Sequence, residues 1–282
     1  MTGSGSDSVD LDELEALACR VAHDAGELLL NGWGSTLRVD TKSSSTDAVT
    51  NMDRASERLV VAAIESARPS DGLLGEEGGR RTGSSGLEWV VDPLDGTINY
   101  MYGLPGWAVS IAVGTDAAAG EDASTWQALV GVVHLPAQRT TYAARLGGGA
   151  RREDAAGVRS LRPSDCTDVN QALVATGFSY AAARRRDQGA VVATLLPVIR
   201  DIRRLGAASI DLCLVADGSV DAFYESGLAP WDRAAGELIA SEAGVRLTEI
   251  AAHRLGDPEP VLLASCPGVS EALEALLIAA RT

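Results

Sequence analysis

Apolar positions along the chain recur at two periods. Leu14, Leu17, Ala18, Val21, Ala25, Leu28 and Leu29 return at helical spacing, with Asp10 placed to cap that helix and Gly32 to stop it. A second helix is predicted over 51–67, where Thr50 and Asp53 fit the capping pattern [ST]-x-x-[DE]. Between the two, 41–50 is polar, has no period and reads as a mobile loop. Short apolar runs then predict strands. Leu73 and Leu74 lead into Gly75-Glu76-Glu77-Gly78-Gly79. Val90 and Val91 end a buried strand. The runs 107–113 and 128–135 follow, and 138–144 folds back on the second as a hairpin around Pro136-Ala137.

The second half alternates in the same way. Gly147-Gly148-Gly149 is a turn and not a phosphate loop, because no Lys-Ser/Thr follows. The stretch 151–168 is charged and loop-like, and is taken as the boundary between two halves, about 10–150 and 151–282. A strand over 172–175 ends at Gly177, and Arg184-Arg185-Arg186 reads as a solvated helix start. Helices are predicted over 191–199 and 207–216, and a strand over 220–224 ends at Glu225. In the helix over 231–243, Ala235, Gly236, Ile239, Ala240 and Ala243 share one face, and Asp232 lies in the first turn. A strand over 261–264 and a helix over 269–280 close the chain, and no internal repeat is visible.

Composition narrows the classes. The chain has 282 residues, 46% of them hydrophobic and 22% charged, which suits one large core or two modest ones. With 24 basic and 39 acidic residues the formal charge is −15. That field disfavours a nucleic-acid surface and repels a phosphate substrate unless bound cations reverse it locally. Cys19, Cys166, Cys213 and Cys266 lie far apart, with no zinc-ligand spacing, and read as reduced thiols of a cytoplasmic protein. Residues 1–9 are Gly/Ser-rich, without the basic and apolar regions of a signal peptide, and read as a disordered tail. No apolar run reaches the roughly 20 residues that span a bilayer, so no membrane partner is expected.

The chemistry concentrates in Trp89-Val90-Val91-Asp92-Pro93-Leu94-Asp95-Gly96-Thr97-Ile98-Asn99. A buried strand is expected to break at Pro93, which biases Asp92 toward an extended conformation, while Gly96 permits a bend and Thr97 can enter a helix. Two carboxylates three positions apart leave the strand's carboxyl end together, where ligands bind in α/β sheets. Carboxylates want a hard cation and a helix N-terminus wants an anion, so one turn offers a metal and a phosphate neighbouring places. Taken singly, other acids have simpler explanations. Asp53 and Asp232 are equally well read as helix N-terminal charges, and Glu76-Glu77 as a solvated turn.

Three motifs, Gly75-Glu76-Glu77, Asp92-Pro93-Leu94-Asp95-Gly96-Thr97-Ile98-Asn99-Tyr100 and Trp231-Asp232-Arg233-Ala234-Ala235-Gly236, resemble the signatures of the inositol monophosphatase family in order and spacing. The stretch from Lys42 to Asp53 looks like that family's mobile loop and second acid, and the likeness runs from about residue 11 to the C-terminus. The resemblance implies a layered α-β-α-β-α sandwich of two packed halves, shared with the fructose bisphosphatase type, and a homodimer. It implies that Glu76, Asp92 and the Leu94 carbonyl hold one Mg²⁺, that Asp92, Asp95 and Asp232 hold a second, and that Glu76 supports a third, weaker ion through waters. Asp53 and Thr97 would orient and deprotonate the attacking water, with Glu77 nearby. The N–H groups of Gly96 and Thr97 would meet the phosphate, and Asp95, Ala208 and Glu225 would complete the substrate site. Glu225 stands seven residues before Asp232, as the family pattern asks.

The activity so implied is lithium-sensitive, Mg²⁺-dependent hydrolysis of a small phosphate monoester, with myo-inositol 1-phosphate first and histidinol phosphate or another sugar phosphate as the alternative. A monoester carries about two negative charges, which a ring of carboxylates repels and metal ions attract. Pro230 before Trp231, expected to stiffen the loop carrying Glu225, and Ser43-Ser44-Ser45 depart from the family pattern and bear on substrate preference. A rival of another class is a binding or regulatory protein. An inactive scaffold would have lost a metal ligand, and here every one is present.

Overall fold

The computed structural model describes residues 9–41, 48–115, 126–252 and 259–280. The expected tail over 1–9 therefore lies, Val9 apart, outside the described residues, as do 42–47 of the expected loop. Helix α1 runs Leu11–Gly32, with the Asp10 carboxylate accepting from the N–H groups of Asp12 and Glu13. A two-stranded ribbon, β1 (Val39–Thr41) and β2 (Ala48–Thr50), leads into α2 (Asn51–Ala67). The ends of the stretch read as a loop are thus paired strands.

Eight strands form a mixed sheet. They are β3 (Gly72–Gly75), β4 (Gly79–Arg81), β5 (Leu87–Asp95), β6 (Ala108–Thr115), β7 (Gln127–Leu135), β8 (Thr140–Arg145), β9 (Gly149–Asp154) and β10 (Gly157–Ser160), in the order β10-β9-β8-β7-β6-β5-β3-β4. A short helix, α3 (Thr97–Met101), sits between β5 and β6. The β7–β8 hairpin closes through a 3₁₀ turn at Pro136–Gln138, as expected. The stretch 151–168 is not a loop throughout, because β9 and β10 extend the sheet through Ser160. Its charges hid the strands. On this edge, long polar side chains pair with one another, Arg152 with Asp154 at 2.8 Å and with Asp217 at 3.0 Å, where a period-2 apolar signal would otherwise appear.

A second sheet has five strands, β11 (Leu173–Thr176), β12 (Asp201–Arg203), β13 (Ala222–Ser226), β14 (Arg246–Ile250) and β15 (Val261–Ser265), in the order β12-β11-β13-β15-β14. Strands β12 and β14 went unread because neither has an alternating apolar face. Four helices accompany this sheet: α4 (Ala182–Leu195), α5 (Ala208–Ala216), α6 (Pro230–Ala243) and α7 (Ser270–Ala279). Helix α4 starts well before the predicted 191–199 and ends at Leu195, so Arg184-Arg185-Arg186 lies inside it.

Alternation along the strands assigns the layers. In β5, Trp89 and Val91 join α1 and α2 in one core, whereas Val90 joins α5 and α6 in another. In β13, Phe223 faces α5 and α6, whereas Ala222 and Tyr224 pack with α4 and α7. The order of layers is therefore α1/α2, large sheet, α5/α6, small sheet, α4/α7, an α-β-α-β-α sandwich. Trp107, fully buried, meets Tyr100 and Trp33 edge-on at 5.0 and 5.6 Å between ring centroids. The Tyr100 hydroxyl donates to the Leu29 carbonyl at 2.7 Å, fixing α3 beneath α1. No cysteine is in a disulfide.

Candidate active site

Strands β3 and β5 are parallel neighbours, so their carboxyl ends deliver acids to one edge. The Glu76 N–H donates to the Val91 carbonyl at 3.3 Å, which sets Glu76 beside Asp92. Contrary to expectation, β5 does not end at Pro93 but continues to Asp95. Its pairing with β6 shifts register between Asp92 and Asp95. The bulge takes Pro93, which has no N–H, out of the ladder and re-aims the acids on either side. Gly96 then turns the chain at φ 89° into α3, and a Cβ there would come within 2.7 Å of the Gly106 carbonyl.

Asp53 serves two partners with two oxygens. Oδ2 accepts from the Thr50 N–H at 2.8 Å and the Thr50 hydroxyl at 2.5 Å, closing the capping box of α2. Oδ1 accepts from the Thr97 hydroxyl at 2.8 Å. Asp53 therefore caps α2 and at the same time reaches the turn that carries Thr97. Thr97 Oγ1 also lies 3.1 Å from the Leu94 carbonyl, so the hydroxyl links Asp53 to the turn.

Sequence reasoning missed the residues that fix this arrangement. Glu57, buried on α2, accepts from the N–H groups of Glu77 and Gly78 through Oε1 at 3.1 and 2.9 Å, and so holds the Glu76-Glu77 turn. A Cβ on Gly75 would overlap that oxygen. Ser56 donates to the Pro93 carbonyl at 2.8 Å. The Ser209 N–H and hydroxyl both donate to Asp95 Oδ2, at 2.9 and 2.6 Å. Asn99 Nδ2 donates to the carbonyls of Gly106 and Leu205, tying the α3 turn to the chain before α5. One signal was available. Asp53, Ser56 and Glu57 share the buried stripe of α2 with Val60 and Ile64, and acids on an apolar stripe must be held by something.

Electrostatics confirm that the acids converge. Asp92, 2% exposed, is driven well above the carboxylate range first by burial, then by Glu76, Asp95 and Asp232. Asp232 rises likewise through burial and Asp95, although its Oδ2 accepts from the Ala229 N–H at 2.7 Å. Asp95 is pushed up to about 6 by burial, which the Ser209 bonds only partly offset. Glu225 is pushed up to about 7 by burial, against the pull of Arg204. Among the described residues, no three His, Cys, Asp or Glu side chains are already closed to one coordination sphere. The donor set nonetheless fits Mg²⁺. It is all oxygen, it carries excess negative charge, and Asp95 is anchored in place by Ser209.

The structure thus gathers Glu76, Asp92, Asp95 and Asp232, with the Leu94 carbonyl at the end of β5 and Thr97 at the start of α3. Ala208 stands at the start of α5, its N–H acting on Asp95. Glu77 joins through its backbone bond to Glu57. Glu225 lies on β13, paired with Leu262, and not on a loop; Pro230 instead opens α6 at its first position, where no N–H is needed.

Residues 10–282 match the model of the inositol monophosphatase family. An inositol-1-monophosphatase of Mycobacterium bovis is 42% identical over 246 residues, covering 85% of this chain and 81% of that protein. A Nus factor SuhB of Pasteurella multocida is 37% identical, covering 81% and 82%. The crystal structure of the extragenic suppressor protein SuhB from Bartonella henselae superposes with a TM-score of 0.83 at 29% identity, covering 94% of this chain and 98% of that one. A family model matched over nearly the whole chain and a relative 42% identical over most of both chains leave one assignment: the chain belongs to the inositol monophosphatase family, a family of phosphomonoester hydrolases.

Proposed function

We propose that the protein hydrolyses small phosphate monoesters in a Mg²⁺-dependent reaction, with myo-inositol 1-phosphate first among them. The observation that carries the reading is the Thr97 to Asp53 hydrogen bond at 2.8 Å beside four acids that repel one another without a cation. Glu76, Asp92, Asp95, Asp232 and the Leu94 carbonyl are the groups that would hold two or three Mg²⁺ ions. When bound, Mg²⁺ neutralises phosphate charge, acidifies water and steadies the leaving oxygen.

The chain's own residues do the rest. With its proton committed to Asp53 Oδ1, the Thr97 hydroxyl turns a lone pair outward, where it accepts a hydrogen bond from the attacking water and orients it. Asp53 takes up the proton through Thr97, and its bonds to Thr50 keep the carboxylate from swinging away. Gly96 and Thr97 present N–H groups to the phosphate, and Glu225 accepts from hydroxyls of the alcohol portion. The same reading takes the assembly to be a homodimer.

A panel of phosphate monoesters, assayed for phosphate release with and without Mg²⁺, tests the proposal. Release that ranks myo-inositol 1-phosphate first and disappears with chelator supports it. Release indifferent to Mg²⁺ overturns the metal assignment, and a different first substrate overturns the preference alone.

A further inference from the structure

Arg204 is a charged side chain that the mechanism above leaves unused. It directly follows β12. Strands β12, β11 and β13 are parallel neighbours in that order, with Ala175 opposite Arg203 and Thr176 opposite Tyr224. Arg204, Gly177 and Glu225 therefore come to one carboxyl edge of the small sheet, the edge at which ligands bind in α/β folds. The Glu225 carboxylate leans across the end of β11, the strand between the other two, because a Cβ on Gly177 would overlap it. On its other flank Arg204 is tied to the reactive turn. Asn99 of α3 donates to the Leu205 carbonyl at 2.7 Å. Arg204 folds back over Gly206, where a Cβ would overlap a guanidinium nitrogen and would stand 3.2 Å from Asn99 Nδ2. The guanidinium thus stands beside the α3 turn that carries Thr97, on the same sheet edge as Glu225.

Arg204 is exposed, and among the described residues its guanidinium forms no hydrogen bond and no ion pair, with Glu225 or any other acid. Its charge nonetheless pulls on Glu225 and Asp95. Donor and acceptor therefore stand apart at one opening, neither spent on the other. An acceptor and a fork of donors together suit a group that both donates and accepts, which is a hydroxyl, and the width of the fork suits hydroxyls on adjacent carbons. A second phosphate or a carboxylate would meet Arg204 but also the Glu225 charge, which repels it.

We infer that Arg204 is a specificity-determining residue, which donates hydrogen bonds to adjacent hydroxyls of the substrate's alcohol portion while Glu225 accepts from them. The inference rests on the phosphatase reading above and narrows its substrate class to phosphate monoesters of alcohols with vicinal hydroxyls.

The test compares kcat/KM for myo-inositol 1-phosphate with kcat/KM for p-nitrophenyl phosphate, whose leaving group carries no other hydroxyl. A change in metal or phosphate binding falls on both esters and cancels in this ratio. In Arg204→Met the ratio is expected to fall by roughly tenfold, the discrimination that one well-placed hydrogen bond supports. The loss should lie in KM for the inositol ester. Arg204→Lys keeps the charge but not the fork, and should recover less than about half of the loss on a logarithmic scale. Wild type is expected to show no preference for myo-inositol 1,4-bisphosphate over the 1-phosphate. An unchanged ratio in Arg204→Met overturns the inference, and so does full recovery in Arg204→Lys, which would make Arg204 a mere positive charge. A wild-type preference for the bisphosphate that vanishes in Arg204→Met overturns it as well, since Arg204 would then read a second anion. A wild type that releases phosphate from none of the three esters overturns the phosphatase reading itself and this inference with it.

Discussion

The hydroxyl of Thr97 and the carboxylate of Asp53 meet at 2.8 Å across 44 positions of sequence, while the other oxygen of Asp53 closes the cap of α2. One side chain therefore joins a helix N-terminus to the reactive turn. Asp53→Asn is expected to separate the two roles. Loss of a cap acceptor costs about 0.5–2 kcal/mol, read as a lower melting temperature. Loss of the base lowers kcat by roughly 10² to 10⁴, with KM little changed. Thr97→Ala should lower kcat without the capping loss. The double mutant should lose less than the product of the single effects, because both residues act on one water. A reduced melting temperature with unchanged kcat would return Asp53 to the status of a cap.

Asp92 is repelled by three neighbouring acids, Glu76, Asp95 and Asp232. Two opposite effects follow for Asp92→Asn. In chelator, removing one of four mutually repelling acids should raise the melting temperature. With saturating Mg²⁺, the wild type should gain several degrees, since about 2.7 kcal/mol accompanies ligand at a hundred times its dissociation constant. The variant should gain much less and lose at least about a hundredfold in turnover. Equal Mg²⁺-induced shifts in both proteins would remove Asp92 from the metal site. Lithium, general as an inhibitor in the family, is expected to lower wild-type turnover.

What the sequence disclosed and what it hid divide along physical lines. Asp92 and Asp95 stood out because two carboxylates three positions apart end one buried strand, whereas Glu76 and Asp232 had simpler local readings and entered through the resemblance to the family's motifs. Helices α1, α2 and α6 were legible by period and cap. The edge strands β9 and β10 were not, because Arg151 and Arg152 satisfy themselves against Glu15, Asp154 and Asp217 in place of forming an apolar face. Nor were the supports Glu57, Ser209 and Asn99, whose partners lie 20, 114 and 106 positions away. Asp53 presented a false choice, since a carboxylate has two oxygens and each does a different task.

His134 makes a pH prediction of its own. Its Nδ1 and the Nε2 of His23 both lie against the Thr141 hydroxyl, at 3.0 and 2.9 Å, and the two rings meet edge-on at 4.3 Å. Glu27, Arg139, Glu153 and Asp154 line the same cavity of about 500 Å³. Burial, then His23, lowers the His134 pKa to about 4. The unfolded chain titrates near 6.5. Between these values the unfolded state binds a proton that the folded state refuses, so stability is kept above about pH 6.5 and lost as pH falls toward 4. The loss is on the order of 3 kcal/mol when complete. His134→Gln should flatten this part of the pH dependence of denaturant unfolding. The same slope in both proteins would show that His134 protonates freely in the fold.

Glu57 offers the last test, since it acts through the backbone of the Glu76-Glu77 turn. Its Oε1 holds the N–H groups of Glu77 and Gly78, and that grip fixes where the Glu76 carboxylate stands. Gly75→Ala would force a methyl group into the space of that oxygen, and its neighbours would have to move. Glu57→Gln keeps shape and an acceptor but gives up the charge-assisted bonds. The hierarchy expected is Gly75→Ala most damaging, Glu57→Ala next, and Glu57→Gln mild. Because the disturbed residue is Glu76, the loss should show as a rise in the Mg²⁺ concentration needed for half-maximal activity, by roughly tenfold for Glu57→Ala. KM measured at saturating Mg²⁺ should change far less, because Glu225 stands on β13 and Thr97 on α3, away from the turn that Glu57 holds. If Glu57→Ala lowered the melting temperature but left the Mg²⁺ requirement where it was, Glu57 would be a buried acid serving the fold alone.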